Sequence, residues 1–275
     1  MNQHELAQHF QSEGFVVVPG LFAASEIDHI KAHFMQLNAQ GHGYAGDRPA
    51  LLGDDDPLAA YPRLVHPHRF DKLSLDWLLD ERLRHWTTAL LARQPYAAQT
   101  MFYFKPPGAR GQALHQDQRS LRVRPGTCLA AWMAVDDCDE ENGCMQIVPR
   151  TQDLPQLCLI AADLSQSFSS KMVPIPPGNA PKSVPMRAGD VLFFNGQVIH
   201  GSYPNRSRSR FRRSLIGHYV VGEARQVAEF YHPLLTFAGD TVALADSDDG
   251  GPCGIFGDDD TAPALMMVAE QALNP

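Results

Sequence analysis

His115-Gln116-Asp117, His200 and Arg212 are the residues of this chain whose types and spacing could do chemistry. Two histidines and one carboxylate form the ligand set that holds non-heme Fe(II) on one face and leaves three positions open. An arginine twelve residues after the second histidine, in a strand-like run, stands where such a centre would anchor the distal carboxylate of 2-oxoglutarate.

Each of these residues also has a plainer reading. In a strand, residues i and i+2 point to one face with Cα atoms about 6.6 Å apart, so His115 and Asp117 could converge on one ion. A His-x-Asp is otherwise ordinary surface decoration, and Gln116 would point the other way or sideways at the mouth. Gly108 and Gly111 precede the motif in a Pro/Gly-rich approach. His200 follows the apolar run Val191-Leu192-Phe193-Phe194 and the turn Asn195-Gly196, where a histidine is commonly a satisfied core residue. Neutral imidazole nevertheless suits Fe(II). Arg212 and Ser214 share a face of the run Arg212–Tyr219. A guanidinium fork grips a carboxylate with two parallel bonds, which a lysine point charge does not. Arg206, Arg208 and Arg210 read as a solvated basic loop. Arg119, Arg122 and Arg124 form a second basic cluster just after the first histidine motif. Arg122 and Arg124 share a strand parity, and one or two of the three are expected to bind an anionic group of the substrate; the alternative is that they balance the acidic loops at 54–56 and 258–260.

The rest of the chain must position these groups. A net charge of -8 speaks against a general nucleic-acid binder. No apolar run approaches the roughly 18 residues of a membrane span. The opening MNQHELAQHFQSEG has neither a basic n-region nor an apolar h-region, so a cytoplasmic location is expected. The five cysteines form no C-x-x-C pair and read as buried reduced thiols rather than a zinc site. Asn205-Arg206-Ser207 is read as an accidental glycosylation match. The sequence does not indicate an oligomeric state.

Leu6 and Phe10 before Gly14 predict a helix, and Phe15–Val18 a strand. Ser25 and Asp28 resemble a capping box ahead of Ile27, Ile30, Phe34 and Leu37, which recur at helical spacing up to Gly41. Residues 72–93 repeat the pattern, with Leu79, Leu83, Trp86 and Leu90 along one stripe. Residues 42–66, rich in Gly, Asp and Pro, read as a mobile surface segment. Strands are expected at Thr100–Phe104, Thr127–Val135, Met145–Val148, Lys171–Ile175, Val191–Phe194 and Ser214–Val220, with 139–143 as a tight polar turn. Ala262–Leu273 reads as a last short helix. Many short strands after a helical start predict a mainly β fold: a double-stranded β-helix (jelly-roll, cupin-like) with N-terminal helices packed on one sheet. We divide it as one domain over 1–275, with a helical region over about 1–95, the β-helix over about 96–222 and a C-terminal extension over 223–275.

The segments HQDQRSLRVRPGTCLAAWMAVDDCDEENGCMQIVPRTQ and GDVLFFNGQVIHGSYPNRSRSRFRRSLIGHYV resemble the phytanoyl-CoA dioxygenase family of Fe(II)/2-oxoglutarate oxygenases. The KPPG before the H-Q-D, Ala131-Trp132, the Asn-Gly-Cys turn, the H-x-S of His200 and Ser202, and the F-R-R around Arg212 carry the match. The resemblance implies His115, Asp117 and His200 as iron ligands, with Arg212 and Ser202 on the C5 carboxylate of 2-oxoglutarate. It puts Met101, Gln116 and Trp132 beside the cosubstrate or the iron. It implies Fe(II), 2-oxoglutarate and O2 as cofactor and cosubstrates, and hydroxylation of a small-molecule C–H bond with release of succinate and CO2. The His-to-Arg interval of twelve is one longer than in some relatives, which leaves Arg213 as second choice to Arg212. Lys105 belongs to KPPG and has no assigned equivalent to the cosubstrate lysine of some members. The expected substrate is a small or medium anionic molecule: an organic acid, amino acid or organophosphonate. The rivals are an acyl-CoA or natural-product hydroxylase of the same family, a halogenase (opposed by Asp117) and a non-catalytic cupin-like binding or sensor protein.

Overall fold

The computed structural model describes residues 2–41, 56–247, 251–257 and 265–269. Its main sheet runs Phe15–Val18, Val191–Asn195, Cys128–Ala134, Ser214–Val220, Tyr96–Tyr103, Leu234–Leu235, Thr241–Val242, with Leu64–Val65 also paired to Tyr96–Tyr103. A smaller sheet runs Gln112–His115, His200–Ser202, Met145–Ile147, Lys182–Val184. Both are antiparallel throughout. This is the expected double-stranded β-helix.

Strand alternation sorts the main sheet into two faces. Leu129, Ala131, Met133, Val191, Phe193, Leu215 and Tyr219 turn outward and form one core with the helices. Ala130, Trp132, Ala134, Leu192, Phe194 and Ile216 turn inward against Met145, Ile147 and Val184 of the smaller sheet.

The helical layer covers the outer face. The first helix, Gln3–Glu13, begins in a capping box in which Asn2 Oδ1 accepts from the Glu5 amide and Glu5 takes the Asn2 amide. It stops at Gly14, whose φ of 83° a side chain would resist. The next helix, Ala24–Ala39, buries Ile27, Ile30 and Phe34 as its spacing predicts. Its start differs from expectation: Glu26, not Ser25 with Asp28, reaches back to the Ala23 amide at 2.8 Å. The stripe over 72–93 is two helices, Lys72–Leu78 and Glu81–Leu91. Asp80 breaks it because its carboxylate accepts from the Arg82 amide and starts a new helix, leaving Leu79 at the joint.

Other expectations are revised. Residues 42–55 and 258–260 lie outside the described residues, but 56–66 are tied to the body. Asp56 pairs with Arg110 at 2.6 Å, and Leu64–Val65 joins the sheet. Cys158 and Cys253 form a disulfide, so only Cys128, Cys138 and Cys144 are the buried free thiols expected. The two sulfurs meet because Leu157 and Gly254 lie side by side as a parallel bridge. In place of a helix at 262–273, Leu265–Val268 is a strand paired with Cys253–Phe256; 262–264 and 270–273 lie outside the described residues. The run Lys171–Ile175 keeps only Lys171–Met172 as strand. The 139–143 turn carries the chain from the main sheet to the smaller one, clasped by Asn142 Oδ1 accepting from the Asp139 amide. Among the described residues no helix is long and apolar enough to cross a membrane.

Candidate active site

His115 closes the Gln112–His115 strand, His200 opens the His200–Ser202 strand, and the two are directly paired across the ladder. Cross-strand neighbours have Cβ atoms about 5 Å apart, which brings the rings to 4.2 Å between centroids. Each ring is locked the same way: His115 Nδ1 donates to the Ala113 carbonyl and His200 Nδ1 to the Val198 carbonyl, both at 2.9 Å. That hydrogen bond fixes the tautomer and makes both Nε2 atoms lone-pair donors, the His115 one accepting from Gln112 Nε2 at 3.1 Å, a contact that a metal would displace. Burial, and then the neighbouring His115, hold His200 at about 4, so its imidazole stays neutral.

Asp117 reaches the same point by another route than the strand geometry predicts. The strand ends at His115, and Asp117 heads a four-residue helical turn, Gln118–Leu121, with helical φ and ψ of its own. Its carboxylate caps no helix amide. Asp117 Oδ1 stands 3.5 Å from His115 Nε2 and 3.6 Å from His200 Nε2, and the three ligand atoms lie within 4.8 Å of one another. Burial alone would raise this carboxyl, but the surrounding imidazoles outweigh it and hold it well below the usual carboxylate range. Two imidazole nitrogens and one ionised oxygen converging on one point suit Fe(II).

The trio lies in the wall of a cavity of about 250 Å³. Along that wall sits Arg212, buried, with Nε donating to the Gly143 carbonyl at 2.9 Å and Nη1 to Ser214 Oγ at 3.0 Å. Gly143 takes φ 92° there and lies so close to the Tyr203 carbonyl that a Cβ would meet it at 2.6 Å. Among the described residues no carboxylate comes within ion-pair distance of Arg212. Lys105 is buried beside it and gives its Nζ to Ser202 Oγ at 2.8 Å and to the Gly143 and Tyr203 carbonyls. Burial, and then the Arg212 guanidinium, push this lysine well below the ordinary range. Ser202 Oγ accepts from Lys105 and from the Gln112 amide, which leaves its own hydrogen for a group in the cavity. The buried guanidinium and a spare hydroxyl donor, with the Lys105 amine behind them, form a receptor for a carboxylate. Arg213, by contrast, faces the other side and forks onto Asp136 at 2.7 and 2.8 Å.

Met101 and Trp132 line the cavity, with Arg212 Cζ 5.2 Å above the Trp132 ring. Gln116 does not. Its side chain turns away and ties down the Pro155 and Gln197 carbonyls and the Leu157 amide. Arg119, Arg122 and Arg124 do not line the cavity either. The segment is a helical turn closed by Arg122 at φ 53° rather than a strand, so strand parity does not govern where they point.

The wall also holds residues not singled out from sequence: Arg63, Gln112, Tyr103, His218, Phe230 and Tyr231. His218 was legible, since alternation from Arg212 through Ser214 and Ile216 puts it on the inner face. Its Nε2 meets Asp117 Oδ2 at 3.0 Å. Phe230 and Tyr231 come from beyond the β-helix, where no local pattern announces a wall.

A β-helix with a two-histidine, one-carboxylate centre beside a buried carboxylate receptor is the frame of an Fe(II)- and 2-oxoglutarate-dependent oxygenase, and comparison with known proteins agrees. A family model described as phytanoyl-CoA dioxygenase matches residues 10–214, and the chain belongs to that family of enzymes. It is 31% identical over 242 positions to a phytanoyl-CoA dioxygenase domain-containing protein of Mus musculus, covering 72% of this chain and 83% of that one. It is 25% identical over 219 positions to an ectoine dioxygenase of Stutzerimonas stutzeri, covering 73% and 71%. Among solved structures, the epimerase SnoN in complex with Fe3+, alpha ketoglutarate and nogalamycin RO shares the fold. There the TM-score is 0.65 at 21% identity, over 81% of this chain and 85% of that one.

Proposed function

We propose that this enzyme hydroxylates a C–H bond of a small or medium anionic organic molecule, with His115, Asp117 and His200 holding Fe(II). The observation that carries the reading is the pairing, in one cavity, of a metal trio with a buried guanidinium that has no acid partner among the described residues. Bound Fe(II) supplies O2 activation coupled to oxidative decarboxylation of 2-oxoglutarate to succinate and CO2, leaving the substrate hydroxylated. Arg212 and the Ser202 hydroxyl take the C5 carboxylate, and Lys105 holds Ser202 in place from behind. Trp132 and Met101 wall the cosubstrate and exclude water.

The cavity supports a slight reacting end for the substrate. At about 250 Å³ it lies below the roughly 300–1,000 Å³ of drug-sized ligand pockets, and the cosubstrate takes part of it, so the reacting end must be slight. The anionic character is supported by Arg63, which lines the cavity and donates from Nη1 to Tyr103 Oη at 3.3 Å, bringing a positive residue to the substrate side. A succinate-release screen over organic acids, amino acids, organophosphonates and acyl-CoAs tests the reading. Turnover of a small anion, with a KM that rises in Arg63→Gln, is expected. Turnover only of acyl-CoA, or of neutral compounds regardless of Arg63, would reject it.

A further inference from the structure

The two oxygens of Asp117 have different partners. Oδ1 faces the Nε2 atoms of both histidines, whereas Oδ2 is 3.0 Å from His218 Nε2. His218 is 3% exposed and sits on the inner face of the Ser214–Val220 strand, in the cavity wall. Its Nδ1 is buried with no hydrogen-bond partner among the described residues. A buried N–H without an acceptor is costly, so the ring proton belongs on Nε2, which then donates to Oδ2.

We infer that His218 is a positioning residue that commits Asp117 to holding the metal through Oδ1 alone. The inference rests on the metal centre proposed above. A carboxylate can bind an ion through one oxygen or both. Were Oδ2 also to bind, it would take one of the three positions that the two-histidine, one-carboxylate arrangement keeps for ligands. A donor on Oδ2 opposes that swing and fixes the plane of the carboxylate. This chain has particular need of one. Asp117 stands on a short helical turn and makes no cap hydrogen bond. When His115 and His200 give their lone pairs to an ion, His218 is the remaining side-chain donor on that carboxylate among the described residues.

Co(II) titration of the metal-free protein, read by visible absorption, separates positioning from mere filling of space. His218→Phe keeps a ring without a donor, and His218→Gln keeps an amide donor at similar reach. His218→Phe is expected to weaken Co(II) binding about 10–100-fold and alter the band, while His218→Gln stays within about threefold with the band restored. Should His218→Phe not fold by circular dichroism, His218→Leu makes the same comparison. Wild-type affinity and spectrum in the donor-less variant, or equal loss in it and in His218→Gln, would overturn the inference. Co(II) binding unaffected by His200→Ala would instead refute the metal centre on which it rests.

Discussion

The two faces of the Ser214–Val220 strand belong to different kinds of protein. Outward, Leu215 and Tyr219 sink into the helical layer, and Tyr219 Oη reaches the Leu78 carbonyl at 2.7 Å. Inward, Ile216 and His218 line the cavity, and Ser214 holds Arg212. A buried polar group costs free energy unless it is matched, so the inner face gives up stability that the outer face must supply. The period of two in a strand lets one sequence do both.

The largest effect is expected where the outer face is broken. Phe34 stacks on Phe102 at 3.9 Å between centroids, and Phe34→Ala should cost about 3–5 kcal/mol of unfolding free energy. Urea denaturation checks this, and metal affinity of the folded fraction should be unchanged. Next comes the disulfide, which joins residues 95 apart and braces the loop that Gln116 holds. Under oxidising conditions Cys253→Ser should lose roughly 2–4 kcal/mol, seen as a lower Tm.

The inner face should show the opposite signature. Arg212→Ala removes charged hydrogen bonds of about 1.5–3 kcal/mol each, so the 2-oxoglutarate Kd should rise at least tenfold while iron binding and Tm hold. Arg213→Ala should lower Tm by breaking its fork with Asp136 and leave that Kd alone. The reverse ranking would show that the two faces are exchanged.

A separate, pH-dependent effect concerns His66 and His68, beside the Tyr96–Tyr103 strand. Burial, and then the Arg69 charge, depress His66 from 6.5 to about 3 and His68 from 6.5 to about 4. Their folded values lie below the unfolded one, so their contribution is complete above about pH 6.5 and is lost as pH falls toward 4. Tm should decline over that window, and His68→Gln should flatten the decline.

The sequence carried the inner face well wherever a strand did the positioning. Alternation put Arg212 and Ser214 on one face, and the same count reaches His218; His200 was marked by its place after a buried strand and by resemblance. It carried less where the backbone leaves regular structure. Asp117 converges on the histidines from a helical turn, and the three arginines after it follow that turn away from the cavity lining. Gln116 was assigned to the cosubstrate by resemblance, yet its amide is spent on backbone from two loops, contacts that no local pattern encodes. The Cys158–Cys253 pairing and the Phe230–Tyr231 wall depend on chain returning from far away, which neither spacing nor propensity records.

The most direct measurement is anaerobic visible spectroscopy of the protein with Fe(II) and 2-oxoglutarate. A charge-transfer band should appear in the wild type and be lost, with iron affinity, in His200→Ala and Asp117→Ala. A His200→Ala protein that keeps the band and the iron would contradict the assignment of the centre.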